Sequence, residues 1–131
     1  MMAAVKNKNS LAELLLRREL HARGVRYRLH AKDVLGCPDI VVRKRRVAVF
    51  VDGDFWHGNA HKRRGLAKLD DLFPTNKEFW VAKISRTIAR DREVTDQLTA
   101  SGWRVVRLWE QNILDAPAAA ADAVESALLG V

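Results

Sequence analysis

Cysteine and long apolar runs are both scarce in this sequence. Its 131 residues include one cysteine, Cys37, which excludes an internal disulfide framework and a zinc site built from cysteines. No apolar run approaches the roughly 20 residues that a membrane-spanning helix needs, and no apolar signal region begins the chain. These absences predict a cytoplasmic protein that does not bind membranes.

Acidic residues are also few relative to basic ones. Sixteen Asp and Glu stand against 23 Lys and Arg, so the formal net charge is +7 at pH 7. Such a charge attracts polyanions, of which nucleic acid is the commonest. A charge of this size also serves solubility alone, so composition by itself leaves both interpretations open.

The chain has the length of one domain, and no linker or repeat divides it. We expect a single domain over residues 1–131, with a flexible segment at residues 1–9. Ser10 and Glu13 form a capping box that begins a helix ending near Gly24.

Two further helices and four strands follow from the pattern of apolar residues. A second capping box, Thr75 with Glu78, begins a helix that extends to Ser101, and an Ala-rich helix is predicted over residues 115–129. Strands are predicted at residues 25–29, 39–42, 47–52 and 103–109. The order α-β-β-β-α-β-α predicts a mixed α/β (α+β) fold with helices on the faces of one sheet.

Two carboxylates and a histidine are expected near one end of the predicted sheet. Asp39 begins one strand and Asp52 ends the next, so antiparallel pairing would place both at one edge. Close carboxylates repel unless a cation lies between them, and oxygen ligands suit Mg²⁺. His57, in the long loop over residues 53–74, could take a proton from water. Each residue also has an ordinary explanation as a turn, cap or surface residue, but together they favour metal-assisted phosphodiester hydrolysis.

Several short motifs between residues 10 and 112 are similar to those of one family. They are PDIV at 38–41, VFVDGDFWHG at 49–58, FW at 79–80 with KI at 83–84, RDR at 90–92, and GWRVV at 102–106 with WE at 109–110. Together they resemble the very short patch repair (Vsr) DNA mismatch endonucleases of the PD-(D/E)XK nuclease superfamily. The resemblance implies a restriction-endonuclease-like αβββαβ core, here with an extra C-terminal helix. It also implies a Mg²⁺-dependent endonuclease that nicks double-stranded DNA in mismatch repair, or in a related DNA-processing or defence role, with DNA-repair proteins as candidate partners.

The same resemblance implies catalytic and metal-binding roles. Asp39 is implied to be the central Mg²⁺ ligand, with the backbone carbonyl of Val51 as a second ligand. Asp52 joins them as a carboxylate of the metal site, and His57 is implied to act as general base or to orient water. Glu13 is implied to hold a water molecule in the site, although the capping box alone explains a glutamate there.

DNA contacts are expected from two aromatic residues and two basic groups. The resemblance implies that Phe55 and Trp56 form a wedge that enters the base stack, although aromatic residues beside a strand end usually pack. A loop group adjoins the proposed metal site, and a stripe at i, i+3, i+7 lies on the second helix, where a solvated flank is the alternative. These residues are Lys62, Arg63 and Arg64 in the loop, and Lys83, Arg86 and Arg90 on the helix.

The sequence departs from the family pattern at several positions. Asp52 stands where the family usually has a histidine, and Asp54 takes the place of the lysine usual in the wider fold. The family's zinc-binding cysteines would fall at Asp54, just after His57 and at Gln111, and none is present, so we predict no structural zinc. A catalytically weakened DNA-binding module on a nuclease fold is the alternative function, and a basic scaffold that acts through protein partners is a third.

Overall fold

The structure is a computed structural model that describes residues 10–55 and 57–130. The predictions for residues 1–9 and for Trp56 lie outside the described residues. Among the described residues, five α-helices and four strands are assigned in chain order. The helices are α1 (Leu11–Ala22), α2 (Ala60–Arg63), α3 (Lys77–Ala100), α4 (Glu110–Asp115) and α5 (Pro117–Leu129). The strands are β1 (Arg28–Leu29), β2 (Ile40–Val42), β3 (Val47–Asp52) and β4 (Arg104–Trp109).

The four strands form one mixed sheet in the order β1-β2-β3-β4. The first three strands are antiparallel neighbours, with Ile40 opposite Val49, whereas β3 and β4 run parallel from Val47 opposite Arg104 to Asp52 opposite Trp109. The parallel pair is joined by a crossover that contains α3. The predicted mixed α/β fold is therefore confirmed.

Helices cover both faces of the sheet, and β3 shows this most clearly. Val47 and Val49 pack with α1, α4 and α5 on one face, whereas Ala48 and Phe50 pack with α3 on the other. A strand buried on both faces is expected to be apolar throughout, and this explains the continuous apolar run of β3.

Some element boundaries differ from the predicted ones. Asn76, with φ +51°, precedes α3 and forms no side-chain cap, so the prediction of a capping box begun by Thr75 was wrong. The C-terminal helix was predicted to begin at residue 115 but begins at Pro117. Ala116, with φ −150° and ψ 75°, is not helical and separates this helix from α4. In the part of the chain that the structure describes, no helix combines the length and apolar character needed to cross a membrane.

Candidate active site

Asp39 lies at the sheet edge where β2 begins. Its backbone N–H donates to the carbonyl of Val49 at 3.0 Å, and its Oδ2 accepts a hydrogen bond from the N–H of Val51 at 2.7 Å. The pKa of Asp39 is raised to about 6, chiefly by burial and also by the charges of Glu13 and Asp52, against the hydrogen bond from Val51 and the charge of His30. A carboxylate in these surroundings would gain from a nearby cation.

Glu13 and His30 join Asp39 in a first group of candidate ligands, in which one atom from each side chain lies within 4.8 Å of the others. Glu13 is 1% exposed, and its Oε2 accepts from Arg17 Nη2 at 2.9 Å and lies 2.8 Å from His30 Nε2. The placement of Glu13 on the predicted first helix therefore brings it to the same edge as Asp39. His30 was missed by the sequence analysis, and no local signal marked it.

Asp52, His57 and Asp91 form the second group, again with candidate ligand atoms within 4.8 Å of one another. His57 Nδ1 is hydrogen-bonded to Asp91 Oδ2 and lies 3.8 Å from Asp52 Oδ1. Burial lowers the pKa of His57, but the hydrogen bond to Asp91 and the two carboxylate charges outweigh it, so the pKa is raised overall. Asp91 follows Ile84 by two helical turns, so an acidic residue on the buried stripe of α3 was a signal that could have revealed it.

Arg107 holds the second group together from β4. Its Nη1 lies 3.1 and 3.2 Å from the two carboxylate oxygens of Asp52, and its Nη2 donates to the carbonyl of Asp91 at 3.2 Å. The guanidinium also lies over the ring of Phe50, 4.1 Å from its centroid. Burial raises the pKa of Asp52, which the charges of His57 and Arg107 partly offset.

Asp39 from the first group and all three residues of the second group line one cavity of about 330 Å³. Its lining includes Asp39, Asp52, His57, Arg90, Asp91 and Arg107. Among the described residues, however, Asp39 and Asp52 belong to different candidate ligand groups. The carboxylate of Asp52 is, in addition, paired with Arg107. The structure therefore brings the two predicted carboxylates to one cavity but gives Asp52 a partner that the sequence analysis did not anticipate.

Phe55 packs within the long loop. Its ring lies 6.0 Å from that of Phe73 and 5.8 Å from that of Trp80, in an apolar cluster with Leu72 and Ile84. This packing is the structural alternative to the wedge that the resemblance implies for Phe55, because a ring that enters DNA must leave such contacts.

The six basic residues predicted to bind DNA are exposed, but their surroundings differ. Lys62 and Arg64 are exposed in or just after α2, and Lys83 and Arg86 are exposed on α3. Arg90 is also exposed and borders the cavity.

Arg63 points instead toward Asp54 and Asn112. Its Nε donates to Asp54 Oδ1 at 3.1 Å, and its Nη2 is hydrogen-bonded to Asn112 Oδ1. Asp54 also accepts from Asn59 Nδ2 at 2.8 Å and from the N–H of Gln111 at 3.1 Å. A hydrogen bond between Asp54 and Gln111 thus joins the loop to α4 at two of the positions where the family has zinc-binding cysteines. The absence of a structural zinc stays a prediction.

Named relatives that align with most of the chain are DNA endonucleases, and this chain is an enzyme of that class. The family described as "DNA mismatch endonuclease Vsr" matches residues 1–63. The chain belongs to this Vsr family.

Three relatives illustrate the similarity. The "Type II nicking enzyme V.HpaIIP" of Haemophilus parainfluenzae is 39% identical over 117 residues, which cover 89% of this chain and 79% of the relative. The "Type II nicking enzyme V.NmeDIP" of Neisseria meningitidis serogroup C is 39% identical over 127 residues, covering 97% of this chain and 82% of the relative. The "DNA mismatch endonuclease Vsr" of Escherichia coli (strain K12) is 34% identical over 109 residues, covering 83% of this chain and 66% of the relative.

Proposed function

We propose that this endonuclease uses Mg²⁺ to nick one strand of double-stranded DNA. The observation that carries the proposal is the cavity at the sheet edge, which is lined by the half-buried carboxylate of Asp39 and by the hydrogen-bonded pair of His57 and Asp91. The basic residues around the cavity, including Arg90, favour an anionic substrate.

The residues at Asp39 fit a hard divalent cation. A carboxylate and the backbone carbonyl of Val51 are oxygen donors, which Mg²⁺ prefers. Burial and the neighbouring acids raise the pKa of Asp39 to about 6, so a cation would relieve the crowding of negative charge. When bound, Mg²⁺ would stabilise the negative charge that develops on the phosphate. Asp52 remains a proposed third ligand, in competition with its bond to Arg107.

His57 is the proposed base in this reaction. Because its Nδ1 is hydrogen-bonded to Asp91, Nε2 is the nitrogen that can take a proton from water. The carboxylate of Asp91 fixes the ring orientation and stabilises the imidazolium that forms. Glu13 is proposed to hold water on the Asp39 side of the cavity.

The substrate is proposed to include mismatched duplexes, and the setting to be mismatch repair or a related defence role, with repair proteins as partners. The relatives' names, "nicking enzyme" and "DNA mismatch endonuclease", support this reading. Lys62, Arg64, Lys83, Arg86 and Arg90 are proposed to contact phosphates, with a smaller contribution from Arg63 because of its bonds to Asp54 and Asn112. Phe55 and Trp56 remain the proposed wedge.

A nicking assay tests the proposal. Supercoiled plasmid and labelled duplexes, one matched and one with a T·G mismatch, are incubated with Mg²⁺ or with EDTA. We expect Mg²⁺-dependent nicking that is abolished in Asp39→Asn. Asp33→Asn is the matched control, because Asp33 is exposed and paired with Arg43 away from the cavity. Equal nicking by Asp39→Asn and the unchanged protein would contradict the assignment.

The pairing of Asp52 with Arg107 favours one second candidate, a DNA-binding module with weakened catalysis, because it occupies both oxygens of a proposed ligand. Salt-sensitive DNA binding with no cleavage under Mg²⁺ or Mn²⁺ would support that candidate over the first.

A further inference from the structure

We propose that His30 is a positioning residue of the cation site, and that its imidazole fixes the carboxylate of Glu13 against Asp39. The proposal rests on the proposed metal-dependent function and gives His30, a member of the first candidate ligand group, a role in it. It predicts that the side chain of His30 tunes both cation affinity and the rate of the reaction.

The backbone of His30 is hydrogen-bonded to the backbone of Asp39. The N–H of His30 donates to the carbonyl of Asp39 at 3.0 Å, and the next N–H, of Ala31, donates to Pro38 at 3.3 Å. These bonds hold His30 just beyond the end of β1, beside the start of β2. The position of its imidazole is therefore set by the strand that carries Asp39.

The conformation of His30 is one that side chains disfavour. Its φ is +45°, in the left-handed region where glycine is at ease and other residues are uncommon. Non-glycine residues persist there when their surroundings hold them, and such positions cluster at functional sites. Because glycine would meet the backbone requirement at lower cost, the side chain of His30 is the feature that calls for an explanation.

The imidazole bridges two elements that carry different carboxylates. Glu13 is on α1, where Arg17 binds its Oε2 from the same helix at 2.9 Å. An arginine on that helix moves with it and cannot set the distance between α1 and the strand. His30 Nε2, at 2.8 Å from the same oxygen, joins Glu13 to the segment that holds Asp39. His30 is thus suited to fix the spacing between the two carboxylates.

Residues that hydrogen-bond to the ligands of a metal ion orient those ligands, and their loss typically costs about 10–100-fold in metal affinity or activity. We expect an effect of this size when the imidazole is removed.

Three substitutions separate this role from a structural one. His30→Gly suits the left-handed backbone but removes the imidazole, and His30→Asn tolerates that backbone but is too short to reach Glu13. His30→Gln keeps a donor of sufficient length. His21→Gln is the matched control, because His21 is exposed at the end of α1 and does not line the cavity.

Two readouts are measured on the full chain, the dissociation constant for Mn²⁺ alone by calorimetry and the single-turnover nicking rate against Mg²⁺ concentration. We expect His30→Gly and His30→Asn to lose about 10–100-fold in one or both, with His30→Gln recovering most of the loss. Thermal unfolding, measured in parallel, checks that each variant is folded at the temperature of the two assays.

Unchanged Mn²⁺ affinity and rate in His30→Gly would overturn the proposal. Equal losses in His30→Gln and His30→Gly would also overturn it, because the hydrogen bond to Glu13 would then not be the cause. If the unchanged protein binds Mn²⁺ but nicks no DNA, the proposed function fails while the calorimetry still decides the role of His30.

Discussion

Replacing Asp39 by asparagine should make the metal-free protein more stable at pH 8, although the same change should abolish nicking. The pKa of Asp39 is raised from 3.8 to about 6, chiefly by burial. A carboxyl group whose pKa is raised on folding contributes stability below its ordinary pKa and loses it as the pH rises through the folded value. The ionised Asp39 therefore destabilises the metal-free fold increasingly between about pH 4 and pH 6, and by a constant amount above that range.

The size of the effect follows from the shift. A shift of roughly two pKa units, at about 1.4 kcal/mol each, corresponds to about 3 kcal/mol at pH 8. Asparagine is neutral and of similar shape, and its Oδ1 can still accept from the N–H of Val51, which donates to Asp39 at 2.7 Å. For a domain of this size, recovering that free energy raises the unfolding midpoint by about 10 °C.

Thermal unfolding followed by circular dichroism, in EDTA at pH 8 and at pH 4.5, measures this difference. The gain of Asp39→Asn should shrink at pH 4.5, and saturating Mg²⁺ should stabilise the unchanged protein only. Asp33→Asn is the control, because a hydrogen bond from Arg43 lowers the pKa of Asp33 and no gain at pH 8 is expected. A midpoint for Asp39→Asn that is no higher at pH 8, or a gain equal at both pH values, would refute the reasoning.

Two further predictions concern contacts around the cavity. Arg107→Met should lower the free energy of unfolding in urea by about 3–5 kcal/mol, because it removes the hydrogen-bond donor of the buried carboxylate of Asp52 and leaves it only His57 at 3.8 Å. Asp52→Asn on that background should recover part of the loss, and no recovery would assign the cost to the contact of Arg107 with Phe50 instead. Gly58→Ala should cost about 1–2 kcal/mol from the left-handed backbone at φ +83° alone. A steric cost adds to this, because the new Cβ would lie 2.8 Å from Ile88 Cγ1. Adding Ile88→Ala should relieve only the steric part in the same urea assay, and a complete rescue would show that the backbone conformation costs little.

Local sequence patterns predicted the elements where the signal is local. The side chain of Ser10 accepts from the N–H of Glu13 at 3.2 Å, so the predicted start of α1 is confirmed, and β3 has the predicted bounds Val47–Asp52. The first strand was predicted to be longer than it is. Apolar and basic residues alternate over residues 25–29, but only Arg28–Leu29 form a strand. Alternation shows which side chains can share a face, whereas pairing with β2 decides how much of the segment joins the sheet.

The sequence by itself determined that Asp39 and Asp52 stand at the beginning and end of two consecutive strands, since strand periodicity and turns are local properties. Only the tertiary structure decided which groups these carboxylates meet. The pair of His57 and Asp91 spans 34 residues, and the pair of Arg107 and Asp52 spans 55. Such partners are determined by the packing of α3 and β4 around β3, which brings together side chains that are far apart in the sequence. The physical reason is that helix caps and strand alternation depend on a few neighbouring residues, whereas the charge balance of a buried site depends on the whole fold.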